Sequence, residues 1–197
     1  MPFLDPVTLR GRLVTLEPLS QDHREELEDA VRDGELWRLW YTSVPRPEGM
    51  AAEIERRLAL RDAGSMLPFA ARRTSDGRVI GMTTYMNADA ANRRVEIGST
   101  WNAASAHGSG TNAESKLLLL GHAFEALGCI AVEFRTHWMN RQSRAAIERL
   151  GAKQDGVLRS HQLMPDGSLR DTVVYSVIAS EWPMVRNGLE LRLGRRG

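Results

Sequence analysis

The chain has 197 residues, 42% of them hydrophobic, and a formal net charge of +1. That length and composition allow one sizeable core, expected as a single domain of class α/β (α+β) over residues 1–197. Near-neutral charge leaves no electrostatic footprint for nucleic acid or an anionic membrane, and no apolar run is long enough to span a bilayer. Cys129 is the only cysteine, which rules out an intrachain disulfide and a cysteine zinc cluster and suits a reducing cytoplasm. His23, His107, His122, His137 and His161 are scattered with no pair at metal-ligand spacing, so no metal is expected.

In chain order, Leu13, Val14, Leu16 and Leu19 predict a first strand, and Ser20 then caps a helix through Glu25, Leu27 and Val31. A second helical segment spans Met50 to Arg61. Between them Trp37, Trp40, Tyr41, Pro45 and Pro47 form an aromatic, proline-rich connection that cannot be one regular helix. Trp40 and Tyr41 suit either the wall of a substrate groove or packing on the core. Three strands follow, Leu67 to Arg72, Val79 to Tyr85 and Val95 to Trp101, with an Asp76-Gly77 hairpin turn between the first two.

Next comes His107, Gly108, Ser109, Gly110, Thr111, Asn112, and directly behind it an apolar helical pattern from Ala113 to Leu127. A glycine-rich turn opening a helix aims backbone N–H groups and the positive end of the helix dipole at one spot, which suits a phosphate or pyrophosphate. Asn112 is the expected cap and Gly128 the stop. Ala113, Leu117, Leu120, Phe124 and Leu127 define the buried face, with Glu114, Lys116 and Glu125 expected elsewhere. The same glycines also suit a strand-to-helix connection that binds nothing. A strand from Ile130 to Thr136, a helix from Ser143 to Leu150 stopped by Gly151, and two strands turning at Pro165-Asp166-Gly167 complete the pattern. Arg192, Arg195 and Arg196 read as a solvated tail.

Two nucleotide signatures compete for the turn. A P-loop needs Lys and then Ser or Thr after its second glycine, and Thr111 and Asn112 stand there instead. Gly108, Gly110 and Ala113 do match the dinucleotide fingerprint, with Glu133 at the spacing of a ribose-binding acid. The context differs: no strand-like run leads directly into the glycines, Glu133 falls near the start of its strand, and three strands precede the motif.

Four segments, VEIGSTW at Val95 to Trp101, HGSGTNAESKLLLLGHAFEALG at His107 to Gly128, NRQSRAAIERLGAK at Asn140 to Lys153 and DTVVYSVIASEWP at Asp171 to Pro183, resemble the GNAT superfamily of acyl-CoA-dependent N-acyltransferases. Within it the chain looks like the branch related to ribosomal-protein N-terminal alanine acetyltransferases, over roughly Thr8 to Trp182. The resemblance implies a central mixed, mostly antiparallel sheet, splayed at the acyl-CoA site and flanked by helices. It also implies acetyl-CoA (coenzyme A) as co-substrate and an amine acceptor, either a protein N-terminus or a small molecule. Monomer and homodimer both fit.

By that resemblance the pyrophosphate loop begins at His107, where relatives carry Gln or Arg, and ends at Asn112, where they carry a small residue. Gly108, Ser109, Gly110 and Thr111 lie between. Thr100, Trp101 and Asn102 match the strand whose backbone pairs with the pantetheine arm, and Asn140 and Ser143 match the turn that contacts the cofactor near its sulfur. Glu96 aligns with a strand glutamate that serves as general base, and Ser143 stands as the candidate acid for the departing thiolate, since that helix lacks a Tyr. A CoA-binding sensor without catalysis is the alternative that the two loop departures raise.

Overall fold

The computed structural model describes residues 3–194. In chain order its strands and α-helices are β1 (Leu9–Arg10), β2 (Val14–Pro18), α1 (Arg24–Arg32), α2 (Met50–Asp62), β3 (Met66–Arg73), β4 (Val79–Asp89), β5 (Arg94–Asn102), α3 (Thr111–Gly121), β6 (Ala131–His137), α4 (Arg141–Glu148), β7 (Lys153–Leu163), β8 (Leu169–Ile178) and α5 (Trp182–Gly194). One sheet takes the order β1-β2-β3-β4-β5-β6-β8-β7. The β5–β6 pair is parallel and its neighbours are antiparallel.

Helices cover both faces, so the central strands cannot alternate apolar with polar residues. Met66 to Ala71 of β3 are all buried, as a strand sandwiched between two apolar layers must be. On one face Leu27, Val31, Met50 and Ile54 of α1 and α2 pack on Met82 and Trp101. On the other, Leu119 and Leu120 of α3 meet Leu16, Phe69, Trp182 and Leu189. Truncating either leucine to Ala would cost about 2–5 kcal/mol.

The helix after the glycine turn departs from its sequence reading in three ways. Gly110, in the left-handed region at φ 96°, takes the cap position, so Asn112 sits inside the first turn and caps nothing. The α-helix ends at Gly121 and continues as a π-helical turn, His122–Ala126, which lets Phe124 stack on Trp182 with ring centroids 5.6 Å apart. Glu114 and Lys116 are buried, each held by polar partners that the apolar period could not reveal. Arg192 is no tail residue: it lies in α5 and donates to the Arg149 carbonyl at 2.9 Å. Arg195 and Arg196 lie outside the described residues.

Pairing between β5 and β6 covers three registers, Arg94 with Ala131 through Glu96 with Glu133. Beyond it β5 runs on to Asn102 along β4, and β6 runs on to His137 along β8. The sheet therefore opens into a wedge whose apex is Glu96, and no helix among the described residues is long and apolar enough to cross a membrane.

Candidate active site

A bulge forms one wall of the wedge. Met82 of β4 faces Trp101, but Thr84 faces Gly98, so Ser99 and Thr100 share the place opposite Thr83. Ser99 takes φ 47°, and the extra residue turns the strand locally. Gly81 permits the close crossing that follows, because a Cβ there would collide with the Trp101 carbonyl. The Trp101 side chain points into the α1–α2 core, which leaves only its backbone for the wedge, and its indole Nε1 has no partner among the described residues.

Glu96 is only 6% exposed. Burial raises its pKa above the ordinary carboxylate value, against the opposing pull of Asn87, whose Nδ2 donates at 2.8 Å, and of Arg135, 3.5 Å away. Glu133 adds to the rise, although Arg94 at 2.6 Å and Arg135 at 2.9 Å hold its carboxylate. Glu96 is thus a carboxylate at the wedge apex with proton affinity set above that of a surface glutamate.

The turn between β5 and α3 is built by its own side chains. The Ser109 hydroxyl donates to the Ala106 carbonyl at 2.7 Å and meets Thr111 Oγ1 at 2.9 Å, while His107 Nε2 stands 3.1 Å from the Asn102 carbonyl. Gly108 and Gly110 both take positive φ, at 74° and 96°. A Cβ on Gly108 would meet nothing within 4 Å, so there the need is conformational. The first α-helical hydrogen bond is Glu114 N–H to the Gly110 carbonyl, and the N–H groups of Asn112 and Ala113 have no acceptor among the described residues. Two backbone donors at a positive helix end suit an anion.

Asn140 and Ser143 come together at the start of α4, where Asn140 Oδ1 accepts the Ser143 backbone N–H at 3.0 Å. Asn140 is therefore the cap, and its Nδ2 has no hydrogen-bond partner among the described residues. Past the wedge, a groove of about 450 Å³ separates the α1–α2 connection from the β7–β8 turn, and Trp37, Trp40, Ser43, Gln162, Asp166 and Arg170 line part of it. Trp40 is 54% exposed and meets the ring of His137 edge-on at 5.2 Å. Tyr41 stands behind, 5.5 Å from Trp40 and 6.3 Å from His137. Three cations escaped the sequence reading: Arg170, and Arg57 and Lys116 at the bulge. Among the described residues there is no group of three His, Cys, Asp or Glu arranged to hold a metal.

A sheet opened at its one parallel pair, beside a glycine turn that starts a helix, is the architecture of GNAT acetyltransferases. The chain belongs to that family: the acetyltransferase (GNAT) domain model matches residues 13–153. It is similar to the crystal structure of a GCN5-related N-acetyltransferase from Brucella melitensis, at 31% identity and TM-score 0.84, covering 96% of this chain and 86% of that one. Mycobacterium smegmatis RimJ in complex with CoA-disulfide matches at 25% identity and TM-score 0.80, covering 96% of both chains. Among curated proteins, "Putative ribosomal N-acetyltransferase YdaF" of Bacillus subtilis (strain 168) is 36% identical over 107 residues. That match spans 54% of this chain and 57% of the relative.

Proposed function

We propose that the protein transfers an acetyl group from acetyl-CoA to a primary amine by direct attack of the amine on the thioester. The observation that carries this reading is a buried carboxylate, Glu96, with raised proton affinity at the apex of the wedge. At neutral pH a free amine is mostly protonated, and a base of raised pKa can take that proton directly or through a water.

The backbone of His107 to Asn112, headed by the Asn112 and Ala113 N–H groups, would receive the pyrophosphate. The backbone of Thr100, Trp101 and Asn102 would pair with the pantetheine arm, because β5 has no β6 partner there. Asn140 would add its Nδ2 and Ser143 its hydroxyl, the latter as proton donor to the departing thiolate. The acceptor amine would enter by the groove at Trp40, with Tyr41 supporting the wall. The printed name of YdaF, a putative ribosomal N-acetyltransferase, favours an amine of a protein, such as its N-terminus, as acceptor, and the groove also has room for a small-molecule amine. The single cysteine fits a cytoplasmic location, and the shared sheet fits one domain for the described residues.

The test is thioester cleavage: acetyl-CoA is incubated with a panel of primary amines and peptides, released thiol is read with a thiol reagent, and products are identified by mass spectrometry. Acetylated product with matching thiol release supports the reading. Calorimetric binding of acetyl-CoA with no turnover on any amine would make the protein a sensor, and no binding would remove acetyl-CoA altogether.

A further inference from the structure

Two buried cations grip the Ser99–Thr100 bulge from opposite faces of the sheet. From α2, Arg57 is 3% exposed; it donates to Thr84 Oγ1 at 2.6 Å and to the Ser99 carbonyl at 3.3 Å. Glu53 balances its charge at 2.7 Å. From α3, Lys116 is 6% exposed, and its Nζ donates to Thr83 Oγ1 at 3.2 Å and to Thr100 Oγ1 at 3.1 Å. Lys116 has no carboxylate among its described partners. Glu114, two residues earlier, spends its carboxylate on the backbone N–H groups of Arg12, Leu13 and Val14.

A buried ammonium without a counter-ion is costly, and an apolar side chain would complete the buried stripe of α3 at lower cost. Desolvation pulls the Lys116 pKa down to about 7, with no charged neighbour to oppose it. Stability therefore does not account for a lysine at this position. The hydrogen-bond inventory offers another account.

The hydroxyls of Thr83 and Thr100 are 2.8 Å apart. In its protonated form, favoured below about pH 7, Lys116 only donates, so both threonine oxygens accept from it. With Thr83 donating to Thr100, the Thr100 oxygen accepts twice and donates its own proton to the Gly98 carbonyl at 3.4 Å, a long hydrogen bond that a stronger acceptor can displace. Thr100 is exposed on the stretch of β5 that has no β6 partner, so a ligand in the wedge can reach its hydroxyl. Two donors on its oxygen polarise the O–H, and in a hydrogen-bonded chain each bond strengthens the next.

We propose that the Thr100 hydroxyl donates a hydrogen bond to the oxyanion that forms at the thioester carbonyl, and that Lys116 is the positioning residue that orients and polarises that hydroxyl. The inference rests on the reading of β5 as the acyl site. No group is transferred in this step: the Thr100 O–H bond stays intact, and the hydrogen bond shortens as negative charge gathers on the carbonyl oxygen.

Isotope-edited infrared spectroscopy of acetyl-CoA labelled with carbon-13 at the carbonyl tests it without any acceptor amine, alongside calorimetry. On wild-type protein the bound carbonyl band should lie below that of the free thioester. In Lys116→Met and in Thr100→Val it should return most of the way while acetyl-CoA affinity stays within about threefold. The double variant should shift no further than the larger single one, because both act on one donor. With any amine that wild type acetylates, kcat should fall at least about tenfold in each variant. Lys116→Met should melt no lower than wild type, since the buried charge is gone; if it fails to fold, Thr100→Val reads the same band. An unshifted wild-type band, or a shifted band unchanged in Thr100→Val or in folded Lys116→Met, overturns the inference. Absence of acetyl-CoA binding to wild type would instead overturn the underlying assignment.

Discussion

Asn87 reaches Glu96 from a backbone in the left-handed region: its φ is 49°, and its Nδ2 donates to Glu96 Oε2 at 2.8 Å. Asparagine tolerates that conformation better than most side chains, and the irregular pairing between Met86 and Asp89 of β4 places it there. A local distortion of one strand thus tempers the rise in proton affinity that burial imposes on a carboxylate of the next.

Removing the amide tests this. A hydrogen bond to the charged form lowers a carboxylate pKa, so its loss adds to the rise that burial already imposes on Glu96. Asn87→Gly deletes the amide while keeping the backbone unstrained. The acidic limb of the kcat/KM profile should move to higher pH, with activity on the alkaline side retained. An acidic limb at the wild-type position would mean that Asn87 does not tune the group that titrates there.

Glu96→Gln should lower kcat/KM by roughly 10²-fold or more without loss of acetyl-CoA binding by calorimetry. It should also change stability with a defined sign. The folded pKa is raised, so the native state holds the proton more tightly than the unfolded chain, and this contribution, complete below the unfolded value near 4.5, is lost as pH rises through the folded value. At pH 7 the Gln variant should therefore melt at or above the wild-type temperature, and the gain should vanish below pH 4.5. A variant less stable at pH 7 would mean that Asn87 and Arg135 outweigh desolvation.

Much of this site is legible in the sequence, because glycines and strand periods announce local backbone demands. Gly108 and Gly110 mark positive φ, and Val95 to Trp101 marks the strand that carries Glu96. Arg57 and Lys116 are a different case. Met50, Ile54 and Arg57 share one buried face of α2, and Ala113, Lys116 and Leu120 share one of α3. A charge on an apolar stripe was the available signal, but its partners, Thr84 and the Ser99 carbonyl for one and Thr83 and Thr100 for the other, come from strands 16 to 42 residues away. Periodicity says which face a residue occupies, whereas tertiary pairing decides whether a charge can stay there. The α5 helix was missed for a similar reason: Val185, Leu189 and Leu193 are buried only because α3 and the sheet provide a surface for them.

Gly110 caps α3 at φ 96°, where a side chain costs about 1–2 kcal/mol per residue of left-handed backbone. Gly110→Val should disturb the first turn, scatter the Asn112 and Ala113 N–H groups, and abolish calorimetric binding of CoA. Normal CoA affinity in this variant would place the diphosphate elsewhere.

Glu114 ties α3 to the β1–β2 turn by accepting the Arg12, Leu13 and Val14 N–H groups at 3.0, 2.6 and 2.8 Å. Glu114→Gln keeps the shape but sets an NH2 against backbone donors, leaving at least one of the three N–H groups unpaired at a cost of up to about 3 kcal/mol. Tm should fall by about 5–10 °C in a chain of this size. Kinetic constants measured well below Tm should stay near wild type, and a Tm within 1–2 °C of wild type, roughly the shift for half a kcal/mol, would show that the three contacts contribute little.

Arg170 lines the groove, and its Nε donates to Thr172 Oγ1 at 3.0 Å. Among the described residues no carboxylate forms an ion pair with it. Burial lowers its pKa, while the field of Glu96 acts in the opposite direction. An arginine half-buried in a groove, whose Nη groups have no partner among the described residues, is placed to donate to a carbonyl or carboxylate carried by the amine substrate. Arg170→Ala should raise the KM of a peptide or amino-acid amine by roughly 10–100-fold, the loss of a hydrogen bond to a charged group, and leave acetyl-CoA binding unchanged. Because Arg170 also lowers the Glu96 pKa, the acidic limb of kcat/KM should move up in the same variant. Arg170→Lys retains the charge without the planar fork, so it should restore the limb but not the KM. A KM unchanged in Arg170→Ala for every acceptor that wild type acetylates would leave Arg170 with its electrostatic role alone.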